Sequence, residues 1–218
     1  GNHRVLVWNS LPTSNGQGAD LVLGQSDFTH CEENDDDQDG TAEATPTART
    51  LSSPAGLWTD GNRLVVTDRS NNRALIWSNF PTSNFQPADL VLGQSEFTHN
   101  ARNDNDQDGT WDSEPSGSTL ERPYEVDSNG VQLAIADQLN SRILVWNRFP
   151  TSSFEPADVV LGQGDFEHQR ANDDDQDGTS DGTPTARTLR LPSDVQFINQ
   201  GLLVSDYLNH RVLIYRSN

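Results

Sequence analysis

Lysine and methionine are absent from this chain of 218 residues, and cysteine occurs once. All 14 basic residues are therefore arginine; they face 33 acids, and the formal charge is −19. A chain this acidic, with no basic stripe, is a poor nucleic-acid binder. The lone Cys31 has no partner within the chain, so it reads as a free, partly exposed thiol, with an intermolecular disulfide as the alternative. No apolar run approaches the length of a membrane span, and no membrane insertion is expected. No signal peptide is recognisable, and the residues read as a processed chain or as a window on a longer one. Hydrophobic residues make up only 32%, a level that borders on disorder. They nevertheless fall in short blocks at fixed places, which argues for folded structure.

Three acidic runs stand out against this background: Asp35 to Gly40, Asp104 to Gly109 and Asp173 to Gly178. A further acid follows four residues after the last Asp of each, at Glu43, Asp112 and Asp181. The pattern is D-x-D-x-D-G-x-x-[DE]. Alternate spacing lets Asp35, Asp37 and Asp39 point into one tight loop, as it does Asp104, Asp106 and Asp108, and Asp173, Asp175 and Asp177. The glycine permits the sharp turn, and the carbonyls of Thr41, Thr110 and Thr179 are placed to face inward. Hard oxygen donors in a flexible loop suit calcium. Two carboxylates about 5 Å apart repel by roughly 3 kcal/mol at an effective dielectric of 20, so such a loop without a cation should splay. The expectation is about one Ca²⁺ per repeat, three per chain. The loop is not an EF-hand, because Pro46, Pro115 and Pro184 stand where the bidentate Glu would be. It resembles the calcium hairpin loops of integrin alpha-subunit propellers and of thrombospondin type 3 repeats.

The acidic runs recur every 69 residues, and so does everything around them. Asn2-His3-Arg4-Val5-Leu6-Val7-Trp8 returns at Asn71–Trp77, at Asn140–Trp146 and, ending in Tyr215, at Asn209. Such a period points to blades or stacked modules. Alternating apolar residues and turn signals give four short strands per repeat. In the first complete repeat these are a at 56–59, b at 63–67, c at 72–77 and d at 89–93, with a bend at 68–71. The expected class is all-β, with propeller blades of four antiparallel strands and a calcium-loop insertion in each of three 69-residue repeats. The chain then divides into a partial blade (c, d) at 1–53, blades at 54–122 and 123–191, and a partial blade (a, b, c) at 192–218.

Each repeat places a Pro before strand a, an Asp ending strand b, and Asn-x-Arg entering strand c. These are Pro54, Asp68, Asn71 and Arg73; Pro123, Asp137, Asn140 and Arg142; and Pro192, Asp206, Asn209 and Arg211. In this the chain resembles the NHL-repeat family of β-propellers. The resemblance implies propeller blades and says little of function. The family's blade is shorter, so the acidic loop reads as an insertion. Three repeats cannot close a propeller, and the unpaired end strands invite another chain. Copies of the chain are the expected partner, as a dimeric ring or a head-to-tail polymer. The alternative is a longer natural array.

Other residues recur with the repeat and read as structural. The Asp and Arg of the NHL-like constellation should lock neighbouring blades rather than catalyse. His30, His99 and His168 should pack each insertion onto its blade; a metal role is the alternative, but imidazole prefers softer ions than calcium. Phe28, Phe97 and Phe166 should anchor the insertions, and Trp8, Trp77, Trp146 and Tyr215 should fill inter-blade space. Trp58 and Trp111 have no equivalents, and Trp111 should be exposed.

Three functions compete on this reading. The first is a non-enzymatic, calcium-stabilised protein of the extracellular space or cell surface, structural or adhesive, as a filament or surface-layer subunit. The second is a propeller module that binds a glycan, peptide or protein, since the loops differ at Trp111, Arg102 and Arg170. The third is a hydrolase or lyase with a metal in a central channel, for which Glu125 and Asp194, standing where Gly56 does, are the candidates. No Ser nucleophile elbow, paired-His zinc motif or phosphate loop supports the third.

Overall fold

Strong β-formers in runs of three to seven, separated by Gly, Asn, Asp and Pro, produce thirteen strands in four antiparallel sheets among the described residues. A computed structural model describes residues 1–216. The first sheet pairs β1 (Val5–Val7) with β2 (Leu21–Leu23). The second runs β3 (Pro54–Thr59), β4 (Leu64–Asp68), β5 (Arg73–Trp77) and β6 (Leu90–Leu92) in sequence order. The third repeats it as β7 (Pro123–Ser128), β8 (Leu133–Asp137), β9 (Arg142–Trp146) and β10 (Val159–Leu161). The fourth holds β11 (Pro192–Ile198), β12 (Gly201–Asp206) and β13 (Arg211–Arg216). The expected strands are thus present, shifted by a residue or two at their ends. The bend expected at 68–71 is a 3-10 turn, Arg69–Asn71, closed by Asn72 in the left-handed region (φ 52°). Among the described residues no strand pairing joins the four sheets to one another.

Strand periodicity explains how the sheets stack. Alternate residues point to opposite faces, and both faces of the second and third sheets are apolar. Leu64, Val66, Leu75, Trp77 and Val91 pack with Val5, Leu21 and Leu23 of the first sheet. Their neighbours Val65, Ala74, Ile76 and Leu92 pack with Val126, Leu133, Ile135, Leu144 and Trp146 of the third. A third layer joins Ala134, Ala136, Ile143 and Val145 to Val195, Leu202 and Val204 of the fourth. Trp77 and Trp146 fill two of these layers, and Tyr215 lies against the last. Trp8 differs: it is 39% exposed, because no described sheet packs before the first. Phe28 is exposed for the same reason, whereas Phe97 and Phe166 lie against the apolar layers. Trp58 sits beside Phe149, with Arg63 3.9 Å above the phenyl ring.

A buried polar cluster fixes each repeat to the next. Arg73 Nε donates to Asp68 at 2.8 Å, both side chains fully buried, and Arg73 Nη2 donates to the carbonyls of Thr47 and Thr50. Thr47 and Thr50 belong to the insertion of the preceding repeat. The guanidinium therefore ties a strand to the long loop before it, as it does at Arg142 and Arg211.

Candidate metal centre

The acidic insertions leave strand d, cross the 30 residues 24–53, 93–122 and 162–191 without a helix or strand, and return at the next strand a. Each is pinned at both limbs. Thr50, Thr119 and Thr188 on the returning limb bridge to Gly24, Gly93 and Gly162. Just before each acidic run, Asn34, Asn103 and Asn172 exchange two amide hydrogen bonds with Asn71, Asn140 and Asn209, at 2.8 and 3.0 Å. Those partners are the Asn of the Asn-x-Arg motif, and they also donate to Asp68, Asp137 and Asp206. The metal-loop candidate is thereby bonded to the buried Asp–Arg cluster.

The loop itself is wound by its own backbone N–H groups. Asp35 is buried, and its carboxylate accepts from the N–H of Asp39 (3.1 Å) and Gly40 (3.0 Å). Asp104 and Asp173 do the same in the other loops. Gln38, Gln107 and Gln176 stand at φ near +60°, and Gly40, Gly109 and Gly178 at φ of 84° to 87°. Two left-handed residues on either side of the third Asp reverse the chain tightly enough to bring alternate carboxylates together. Each Gln also accepts from a backbone N–H across the insertion, at Ser26, Ser95 or Gly164, and donates to the carbonyl of the first Asp.

Carboxylate oxygens of Asp35, Asp37 and Asp39 lie within 4.8 Å of one another, and so do those of Asp104, Asp106 and Asp108. In the third loop the converging set is Asp173, Asp175 and Asp181. The three loops together thus use positions one, three, five and nine of the motif, which are the four acids expected from spacing. The ninth-position acids also brace the loop: Glu43, Asp112 and Asp181 accept from the N–H of residues 36, 105 and 174. The threonines also brace the loop through their donors. The N–H of Thr41, Thr110 and Thr179 donates to Asp39, Asp108 and Asp177, joined by the hydroxyls of Thr110 and Thr179. These donors hold the Asp108 and Asp177 carboxyls below the usual range. Asp175 goes the other way, pushed up chiefly by the charge of Asp177 beside it. The donor set is all hard oxygen, mixed buried and exposed, and it fits a divalent cation of the calcium kind.

The second acid of the first and third runs points elsewhere. Asp36 and Asp174 accept from Thr47 and Arg49, and from Thr185 and Arg187. The histidines make local contacts: His30 to Asp27 at 2.9 Å, His168 to Asp165 at 2.6 Å, and His99 to Gln107 at 3.2 Å. None belongs to a converging group. Cys31 is free and exposed. Glu125 and Asp194 line one small cavity of about 210 Å³ with Asp127, and burial together with the Asp194 and Asp127 charges raises the Glu125 carboxyl. Sequence reasoning singled out Asn71, Asn140 and Asn209 but not their partners Asn34, Asn103 and Asn172, although the recurrence of these in register is a usable signal. No family model matches the chain, and no curated protein matches it.

Proposed function

We propose that the chain is a calcium-binding repeat protein with a structural or adhesive role outside the cell, built from NHL-like propeller blades. The carrying observation is the convergence of three carboxylates in each of the three insertions, with the first and third acids of the motif common to all. Calcium would neutralise each cluster, and the loop residues would then hold a defined shape on the stacked sheets. No step of chemistry is assigned to the ion; its part is to order the loops. The asparagine pairs support this reading, because they transmit the loop's order to the buried Asp–Arg clusters. A site with a dissociation constant of about 0.1 mM adds about 2.7 kcal/mol at 10 mM calcium, enough for three such sites to decide whether so polar a chain stays folded.

The end faces support assembly of the chain with its own copies. Val212 and Ile214 of β13 are 63% and 53% exposed, at positions whose equivalents Ile143, Val145, Ala74 and Ile76 are buried against a following sheet. Trp8 is open where Trp77 and Trp146 are covered by a preceding one. A second copy stacked head to tail supplies the missing half of each layer. The test of the calcium reading is thermal unfolding in 10 mM calcium and in excess EGTA. The expected result is a large loss of melting temperature on chelation, and an unchanged melting temperature overturns the reading.

A further inference from the structure

The repeat carries its own control for what the loops need. All three insertions have the same winding, so a side chain found in only one of them is not required for the loop's shape. Trp111 stands where the other insertions have Ala42 and Ser180; Arg102 stands where they have Glu33 and Ala171. Arg170 stands where they have Ala101 and Glu32, and Glu121 where Ser52 and Arg190 occur. These four unrepeated residues meet around one cavity of about 470 Å³ between the second and third insertions. Arg102 is tied to the buried Glu121 at 2.8 Å, and its guanidinium lies 4.6 Å from the centre of the Trp111 ring. The indole is thus steadied on one side and still 59% exposed. Arg170 is exposed and has no side-chain partner among the described residues.

The lining has little to hold an apolar anchor, since Leu139 is the one aliphatic side chain in it. Polar groups surround the indole instead, among them the Gln169 amide, the Ser113 hydroxyl and the Asp112 carboxyl. Gln169, Ser113 and Arg170 also line an adjoining cavity of about 410 Å³, so the two form a groove. An aromatic platform with planar hydrogen-bonding groups matches the apolar face and the hydroxyl edge of a sugar ring. An unpaired guanidinium matches a carboxylate, which it can hold by two parallel hydrogen bonds. We propose that this groove is a binding site for an oligosaccharide that carries carboxylates. Trp111, Arg102, Arg170 and Glu121 lie outside the metal set, but Asp112 and Asp177 also line the groove, with Glu114 and Glu167. The proposal therefore rests on the calcium reading, in which bound ions offset the charge of the first two; uptake of calcium alone tests that reading separately.

The test is calorimetric titration of tetragalacturonic acid into the 218-residue chain in millimolar calcium, with the fully methyl-esterified tetramer as the neutral comparison. Saturable binding of the acid is expected, with the ester at least about tenfold weaker. Trp111→Ala and Arg170→Ala should each weaken the acid by about tenfold or more. Both variants should fold, because the sister insertions already carry alanine there, and unchanged melting temperatures check this. Absence of binding overturns the proposal, as does equal binding of the ester. Heat that persists in Trp111→Ala, as calcium stripping by the acid would give, also counts against it.

Discussion

Arg73 and Asp68 make the strongest claim at the scale of a single residue, because both are fully buried and satisfied by each other and by carbonyls of the insertion. Removing one partner leaves a buried charge alone. Asp68→Ala is predicted to cost about 3–5 kcal/mol in denaturant unfolding, far more than loss of the exposed Arg49–Asp36 pair. Glu125 is the opposite case, a carboxyl whose native state disfavours its charge. Its pKa is raised in the fold by burial and by the nearby Asp194 and Asp127 charges. Between the unfolded and folded values the native state binds the extra proton, so its contribution falls as pH rises through that window. Glu125→Gln is therefore predicted to raise the melting temperature at pH 7, with the gain fading as pH falls towards 4. A variant less stable than the parent at pH 7 contradicts this account of the residue.

The strand pattern was legible in the sequence because alternation of Val, Leu and Ile between turn residues determines both the element and its face. The acidic loops were legible for a related reason, since carboxylates at alternate positions before a glycine are a local pattern. What stayed hidden depends on stacking. Asn34 meets Asn71 from 37 residues away, and Arg170 meets Trp111 only because two insertions lie side by side. Local hydrogen bonds also escaped: each threonine N–H donates to the third Asp of its motif, and each ninth-position acid accepts from the N–H that follows the first Asp. Among the elements, the loop makes the sharpest prediction. Asp106→Asn removes one carboxylate from the second insertion and leaves its hydrogen bond to Asp108 N–H available to the amide oxygen. Calcium uptake should fall from three ions to about two per chain by calorimetry, and an unchanged count contradicts the assignment of that loop.

Across the whole molecule, four sheets share three apolar layers and leave one apolar face at each end. The three internal layers show what such faces bury. Light scattering of the chain in millimolar calcium is predicted to give masses above one chain, and Val212→Asp with Ile214→Asp to return it to a single chain. A discrete dimer would mean a closed pair, and an open distribution a filament; a monomer with the native residues contradicts assembly through these faces. Charge shapes the same process. At −19, copies repel one another, and bound calcium would lessen that repulsion as well as order the loops. Assembly is therefore expected to weaken on chelation.

The most direct measurement is titration of calcium into metal-free chain, with magnesium in parallel. The account predicts saturation near three calcium ions per chain and much weaker uptake of magnesium, whose smaller shell demands stricter octahedral geometry. No saturable calcium uptake would contradict it, and the insertions would then be acidic loops held by hydrogen bonds alone.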